Sequence, residues 1–364
     1  MRLLAATWLA LLAGCGISDG GPDPAVPVLE GLGTQVVLPR YEQFATDMSV
    51  AASAAEAFCG SPDAARLDVA RQTLATAFVA WKRSEVIAFG PARDVPWAVR
   101  ARIDLWPVRE EPVRELLDGE EPITAESLRT TPNAAKGLPV LAWLLGAEED
   151  TLAAFTSTDD GLRRCEVLTA LATDSASAAD LMVNAWTPEG DAWLTEFTAP
   201  PGPRAAFNNT YEVVAELVNR MIFTVENVRL IKLSSPAGLN SGGAPDPSLL
   251  EARYSGQSLD AIRSNLDGVE DLLWGRYQGA SVPGVITLAP EDRAATIGEA
   301  FDLAMAESHL ALDAIPLPLD ESFLVETAPV QTAVSALLDL QRVLQADLTQ
   351  ALGVTVRFND TDGD

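Results

Sequence analysis

The chain has 364 residues and carries 52 acidic against 25 basic side chains, a formal net charge of −27. Such a surface repels phosphate backbones and anionic headgroups, which excludes a nucleic-acid partner and leaves cations unopposed. The length has room for two domains at about 150 residues each, and a hydrophobic content of 48% supports a true core.

The chain opens Met1-Arg2 and then runs from Leu3 to Leu12 without a charge, ending Leu12-Ala13-Gly14-Cys15. A basic start, an apolar run and small residues before a cut site make a secretory signal over residues 1–14. The run is shorter than the roughly 20 residues a helix needs to span a bilayer. A cysteine directly after Leu-Ala-Gly looks like a bacterial lipobox, in which the thiol takes a diacylglycerol; an ordinary signal peptide with a chance cysteine is the alternative. The expectation is a protein anchored to the membrane by a lipid on Cys15 rather than spanning it. Residues 15–35, rich at first in Gly, Pro and Asp, read as a flexible tether. Gly16 stands where Asp would favour inner-membrane retention, so the reading is an outer-membrane anchor facing the periplasm.

Six helical stripes follow, each with apolar residues in steps of three and four. The first holds Tyr41, Phe44, Met48, Ala51, Ala55 and Phe58, and the second Leu67, Leu74, Phe78, Trp81 and Phe89. The third holds Val214, Leu217, Met221, Val225 and Val228, and the fourth Leu259, Ile262, Leu266, Val269 and Leu273. The fifth holds Phe301, Met305, Ser308, Leu312 and Ile315, and the last Val334, Leu337, Leu344, Leu348 and Leu352. Alternating strand patterns are nearly absent. The fold class is therefore all-α, with antiparallel helical bundles as its packing. Gly60-Ser61-Pro62-Asp63 separates the first two helices, with Asp63 as N-cap. Gly90-Pro91 ends the second, and Ser234 to Pro247 is a loop. Pro200-Pro201-Gly202-Pro203 is the densest breaker, which divides an N-terminal bundle (36–200) from a C-terminal one (204–364).

Beyond Cys15 the chain has two cysteines, Cys59 and Cys165. In an oxidising compartment two cysteines suggest one disulfide, here a long-range staple; two separate buried thiols are the alternative.

One residue on the second stripe is out of character. Glu85 continues the apolar face four residues after Trp81. A carboxylate there is costly unless it is paired, protonated or bound to a cation. It reads either as a ligand group inside a bundle or as a helix-end glutamate that reaches solvent or an arginine. Asp104 and Trp106 follow as a second cluster, a ligand pair or a turn held by a capping Asp and a buried Trp. Lys136 opens a third segment, Lys136 to Gly146, which alone is a short buried helix with Pro in its first turn. His309, the one histidine, sits beside its helix's apolar stripe and reads as a surface or boundary residue. Asp360, Asp362 and Asp364 look like half a calcium loop without the closing glutamate.

Taken in order, Trp81 to Pro91 (WKRSEVIAFGP), Asp104 to Pro107 (DLWP), Lys136 to Leu145 (KGLPVLAWLL), Arg163 to Glu166 (RRCE), Ser255 to Leu259 (SGQSL) and the tail Leu352 to Asn359 with Asp362 to Asp364 resemble the imelysin family. The resemblance covers the chain from about Val36 to its end. It implies two all-helical bundle domains, a periplasmic or outer-membrane location, links to iron uptake, and a family first classed as metallopeptidases. The family's signature is Gly-x-His-x-x-Glu. Here Gly137 matches, but Pro139 holds the histidine position and Ala142 the glutamate position. Histidine and glutamate three apart on a helix face the same way and can share a metal; Pro and Ala cannot.

No other catalytic constellation stands out, because zinc hydrolases and Ser-His-Asp or Cys-His arrangements need histidines or thiols that this chain lacks. The reading is a non-catalytic binding or accessory lipoprotein associated with iron or metal uptake. The ligand-binding candidates are Glu85, Asp104, Trp106 and Lys136, and the candidate ligands are iron or another metal cation, a small molecule and a periplasmic partner protein. Two alternatives stand beside it: a metallopeptidase with a rearranged site, and a scaffold for a partner.

Overall fold

A computed structural model describes residues 22–157, 159–240, 242–315 and 318–357. The expected lipidation site Cys15 and the acidic tail residues Asp360, Asp362 and Asp364 lie outside them. The fold is all-α. The one sheet among the described residues is a hairpin of two-residue strands, β1 (Arg276–Tyr277) and β2 (Ala280–Ser281). No helix among the described residues is long and apolar enough to cross a membrane.

The chain begins with α1 (Ala25–Leu32), which passes through a π-helical turn, Gly33–Val37, into α2 (Leu38–Gly60). This corrects the expected tether, which had run to residue 35. Val28, Leu29 and Leu32 are fully or almost fully buried and α1 packs on later helices, so the apolar residues after Pro24 outweigh the breakers before them. α3 (Ala64–Ser84) follows, with the Asp63 carboxylate accepting from the Arg66 backbone N–H at 2.8 Å, the expected N-cap. The expected helix ran on to Phe89, but the α-helix ends at Ser84 and Glu85–Ile87 form a 3-10 turn. Phe89 is extended, and Gly90 takes a φ of 58° against the Trp193 ring, where a Cβ would lie 2.4 Å from the indole.

Short helices then carry the chain across one end of this layer: α4 (Val99–Ile103), α5 (Glu110–Asp118), α6 (Ala125–Thr130), α7 (Leu138–Gly146) and α8 (Thr151–Thr156). The long α9 (Asp159–Trp186) packs against α2, which also packs against α3. α10 (Trp193–Thr198) leads to α11 (Thr210–Asn227), which runs into a π-helical segment, Val228–Ser234. After α12 (Ser258–Trp274) come α13 (Glu291–Asp313), α14 (Leu319–Val325), α15 (Ala328–Arg342) and α16 (Thr349–Leu352). α13 packs against α15, and α12 lies on α3. The stripes read from the sequence are the buried faces: Phe44, Met48, Phe58, Leu217, Met221, Leu266, Phe301 and Leu337 are all fully buried.

The α3–α12 contact is both close and charged. A Cβ at Gly268 would stand 2.4 Å from the Arg83 carbonyl, so only glycine permits this approach. Arg40, 1% exposed, pairs with Asp271 at 2.7 Å and donates to the carbonyls of Arg83 and Gly268, both at 3.3 Å. Arg83 takes the same carboxylate through Nε at 2.7 Å. An arginine fork suits such a site because its planar donors satisfy several acceptors at once.

Cys59, in the last turn of α2, forms a disulfide with Cys165 near the start of α9. The pairing is the one expected, and it closes a loop with a sequence separation of 106. The Cys59→Ser/Cys165→Ser double variant should lose about 4 kcal/mol of stability by the chain-entropy account. Urea unfolding of the two proteins under oxidising conditions reads this, and equal midpoints would overturn it.

Candidate functional site

The site grows from the last turn of α3. Leu74, Phe78 and Lys82 follow one another at steps of four on its buried face, with Glu85 three residues on. The Lys82 ammonium is therefore carried inward with the core residues and is completely buried. Asp104 caps the end of α4 and is equally buried. Glu251 comes from the loop after the 3-10 turn Pro247–Leu249. Lys232 comes from the π-helical segment that continues α11, where the extra residue per turn re-aims the side chains. Asn265 comes from α12.

Lys82 Nζ donates to Asp104 Oδ2 and to Glu251 Oε1, the latter at 2.6 Å, and stands 3.4 Å from Glu85. Trp81 Nε1 donates to the same Asp104 oxygen at 2.9 Å. Lys232 Nζ lies 3.0 Å from Glu85, 2.9 Å from Glu251 and 2.6 Å from Asn265 Oδ1. The Asn265 amide donates to Glu85 at 2.9 Å and to the Lys82 carbonyl at 2.8 Å. Three carboxylates thus share two ammoniums, with Arg100 at 3.9 Å from Glu85 as a looser third cation. Two oxygens stay without a hydrogen bond: Asp104 Oδ1, and Glu251 Oε2, whose 2.9 Å contact with Lys232 is an ion pair at a poor hydrogen-bond angle.

The electrostatics follow from this sharing. Burial alone would pull the Lys82 ammonium down, but Asp104, Glu251 and Glu85 together hold it above its ordinary value. Burial would raise Glu85, yet Lys232, Lys82 and Arg100 keep it well below the usual carboxylate range. Asp104 goes the other way. Burial is its largest influence, Lys82 opposes it, Glu85 and Glu251 reinforce it, and the carboxyl is pushed up to about 6. Asp104 thus holds a proton more tightly than an ordinary aspartate does.

Oxygens of Glu85, Asp104 and Glu251 lie within 4.8 Å of one another, a spacing that suits a metal ion. The donor set does not fit one. The Lys82 ammonium already stands among the three carboxylates, with a raised affinity for its proton, and a divalent ion would have to displace it. The donors are oxygen alone, a hard set that suits no zinc hydrolase.

Two cavities flank the cluster. One, of about 490 Å³, reaches Glu251 and is walled by Phe78, Leu138, Pro139, Ala142 and Tyr254. The degenerate motif therefore forms an apolar wall. Its Gly137 is required by the backbone. At φ 85° it starts α7 against the turn bearing Asp104, and a Cβ would sit 2.4 Å from the Ile103 carbonyl. The second cavity, of about 590 Å³, reaches Glu85, Asp104, Lys232 and Asn265 and includes Trp106, Arg100 and Arg220.

Of the four ligand-binding candidates, Glu85 and Asp104 come together, and Glu85 is paired rather than surfacing in water. Trp106 is half-buried in the lining of the second cavity rather than a buried turn residue. Lys136 is a correction. Its ammonium donates to the Leu128 carbonyl at 2.7 Å, with Asp174 as its charged neighbour, and it is not part of the cluster. The extended backbone after the turn Asn133–Ala135 sends it back towards α6. His309 lies on α13 facing Asp267 and Glu270 and lines neither cavity. Lys82, Lys232, Asn265 and Glu251 were missed. Lys82 and Lys232 carried a signal, since each extends its helix's apolar stripe by a step of four, from Phe78 and from Val228. Asn265 interrupts the face between Ile262 and Val269 in the same way. Glu251 had none.

The imelysin family model, that of a peptidase family, matches residues 37–348. The chain is 24% identical over 322 residues to iron-regulated protein A of Synechococcus elongatus, covering 85% of this chain and 83% of that protein. Two crystal structures share its fold. A Parabacteroides distasonis protein assigned as an iron-regulated protein A precursor superposes with a TM-score of 0.76 at 20% identity. An imelysin-like protein from Psychrobacter arcticum does so with 0.74 at 20%. Each match covers 92% of this chain and 97% of the other.

Asp104 should leave a mark on the pH dependence of stability. Its carboxyl is raised in the fold above its ordinary 3.8, so the folded chain binds the extra proton. The stability it contributes is complete below about pH 4 and lost as pH rises through about 6. Asp104→Asn removes this term, so the variant should gain on the parent as pH rises from 4 to 6. Urea midpoints at several pH values measure the difference, and a constant offset would contradict it.

Proposed function

The chain belongs to the imelysin family, and we propose that it acts as a non-catalytic ligand-binding accessory protein of iron or metal handling in the bacterial envelope. The observation that carries this reading is the ammonium of Lys82 standing among the three carboxylates. Hydrolytic metal chemistry needs an ion with an open position and deprotonated ligands around it. Here a tethered, protonated cation takes that place, and Pro139 and Ala142 offer no ligand atom. The name of the Synechococcus relative supports the link with iron. The competing reading, a metallopeptidase with a rearranged site, rests on the peptidase family whose model the chain matches and on the spacing of the three carboxylates.

Protein purified after growth in zinc- and iron-supplemented medium should carry far less than one equivalent of either metal and leave unfolded casein intact. Stoichiometric zinc or iron, with proteolysis abolished by Glu85→Gln, would prove the reading wrong.

The location is proposed from the sequence: a lipid on Cys15 anchors the chain, and Gly16 directs it to the outer membrane, facing the periplasm. Intact-mass measurement of the membrane fraction should find the chain starting at Cys15 with added acyl mass. Cleavage elsewhere without lipid would sink this part.

A further inference from the structure

The second cavity reverses the charge balance of the whole chain. Acidic side chains outnumber basic ones two to one in the sequence. Yet four cationic side chains, Arg93, Arg100, Arg220 and Lys232, line this cavity against two carboxylates, Glu85 and Asp104. Those two carboxylates are already engaged by Lys82, Lys232 and Asn265 within the buried cluster. The guanidinium groups of Arg100 and Arg220 lie outside the cluster's hydrogen bonds and line the cavity. The four cationic side chains come from separate elements, the segment before α4, α4 itself, α11 and the π-helical segment, so the positive groups surround the space. Arg100 stands 3.9 Å from Glu85, beyond hydrogen-bonding reach, with its side chain 39% exposed. Arg220 uses Nε on Glu216 at 2.7 Å and lies over the Phe223 ring, which holds its guanidinium in place at the wall. Trp106 and Phe223 give the cavity an apolar side. At about 590 Å³ it lies within the usual range for small-molecule sites.

We infer that this cavity binds a small polycarboxylate anion, with Arg100 and Arg220 as its carboxylate forks. Guanidinium forks match planar carboxylates in two-point hydrogen bonds. Several cations around one space ask for a ligand with more than one anionic group. This inference rests on the binding function proposed above and names its ligand class. A bare cation in this cavity meets Arg100, Arg220 and Lys232. A metal enters this cavity only inside an anionic chelate. The same polycarboxylate chemistry can arrive as the free acid or as its ferric chelate.

Isothermal titration of the purified full chain with citrate, ferric citrate and inorganic phosphate tests this at low salt. Citrate should bind, and the affinity should fall as salt rises, because the attraction is screened. Arg100→Gln, a half-exposed position, should keep the helical circular dichroism spectrum and weaken citrate roughly tenfold or more. Tighter binding of ferric citrate than of citrate identifies the chelate as the source, and equal binding identifies the free acid. No binding of either, citrate affinity unchanged in Arg100→Gln, or phosphate bound as tightly as citrate would overturn the inference. None of these outcomes touches metal content or casein cleavage, so the non-catalytic reading stands or falls separately.

Discussion

The ammonium of Lys82 is the interaction on which the architecture of this protein turns. It is completely buried, carried inward by the apolar face of α3, and it meets a carboxylate from its own helix end, one from the α4 turn and one from the loop before α12. A buried charge is tolerated only when its partners are in place, and removing one partner of such a set typically costs about 3–5 kcal/mol. The cluster therefore demands that three segments arrive together, the end of α3, the α4 turn and the loop before α12. A second ionic set, Arg40 and Arg83 on Asp271, sits along the same α3–α12 contact. The glycine at 268 lets the two helices come close enough for both.

That demand also divides the space around the cluster. On one side lies the cavity with the degenerate motif, where Pro139 and Ala142 put apolar groups on the wall. On the other lies a cavity rich in guanidinium groups. Between them the carboxylates of Glu85, Asp104 and Glu251 meet the ammoniums of Lys82 and Lys232, and burial with the acidic neighbours raises the Asp104 carboxyl.

Much of this was legible along the sequence. Steps of three and four gave the buried faces of α2, α3, α11, α12, α13 and α15, because a helix repeats its inward direction about every 3.6 residues. The cap at Asp63 followed from a local hydrogen bond. The pairing of Cys59 with Cys165 followed from their number. Glu85 stood out because a carboxylate on a core face needs an explanation. Lys82 and Lys232 stood on the same kind of face, but a lysine's long apolar stem lets it sit at many boundaries and hides the signal. α1 was hidden by the Gly/Pro-rich stretch before it.

The sequence by itself determined the all-α class, the helix faces, the disulfide and the emptiness of the Gly137–Ala142 motif, because each rests on spacing within one segment or on a residue's chemistry. Only the tertiary structure decided that Glu85 and Asp104 meet while Lys136 turns away, and that Glu251 completes their trio from 147 residues beyond Asp104. It also decided that the Lys82 ammonium stands among them. Those facts depend on where separate helices cross, and crossing is set by packing over the whole core, which no local pattern encodes.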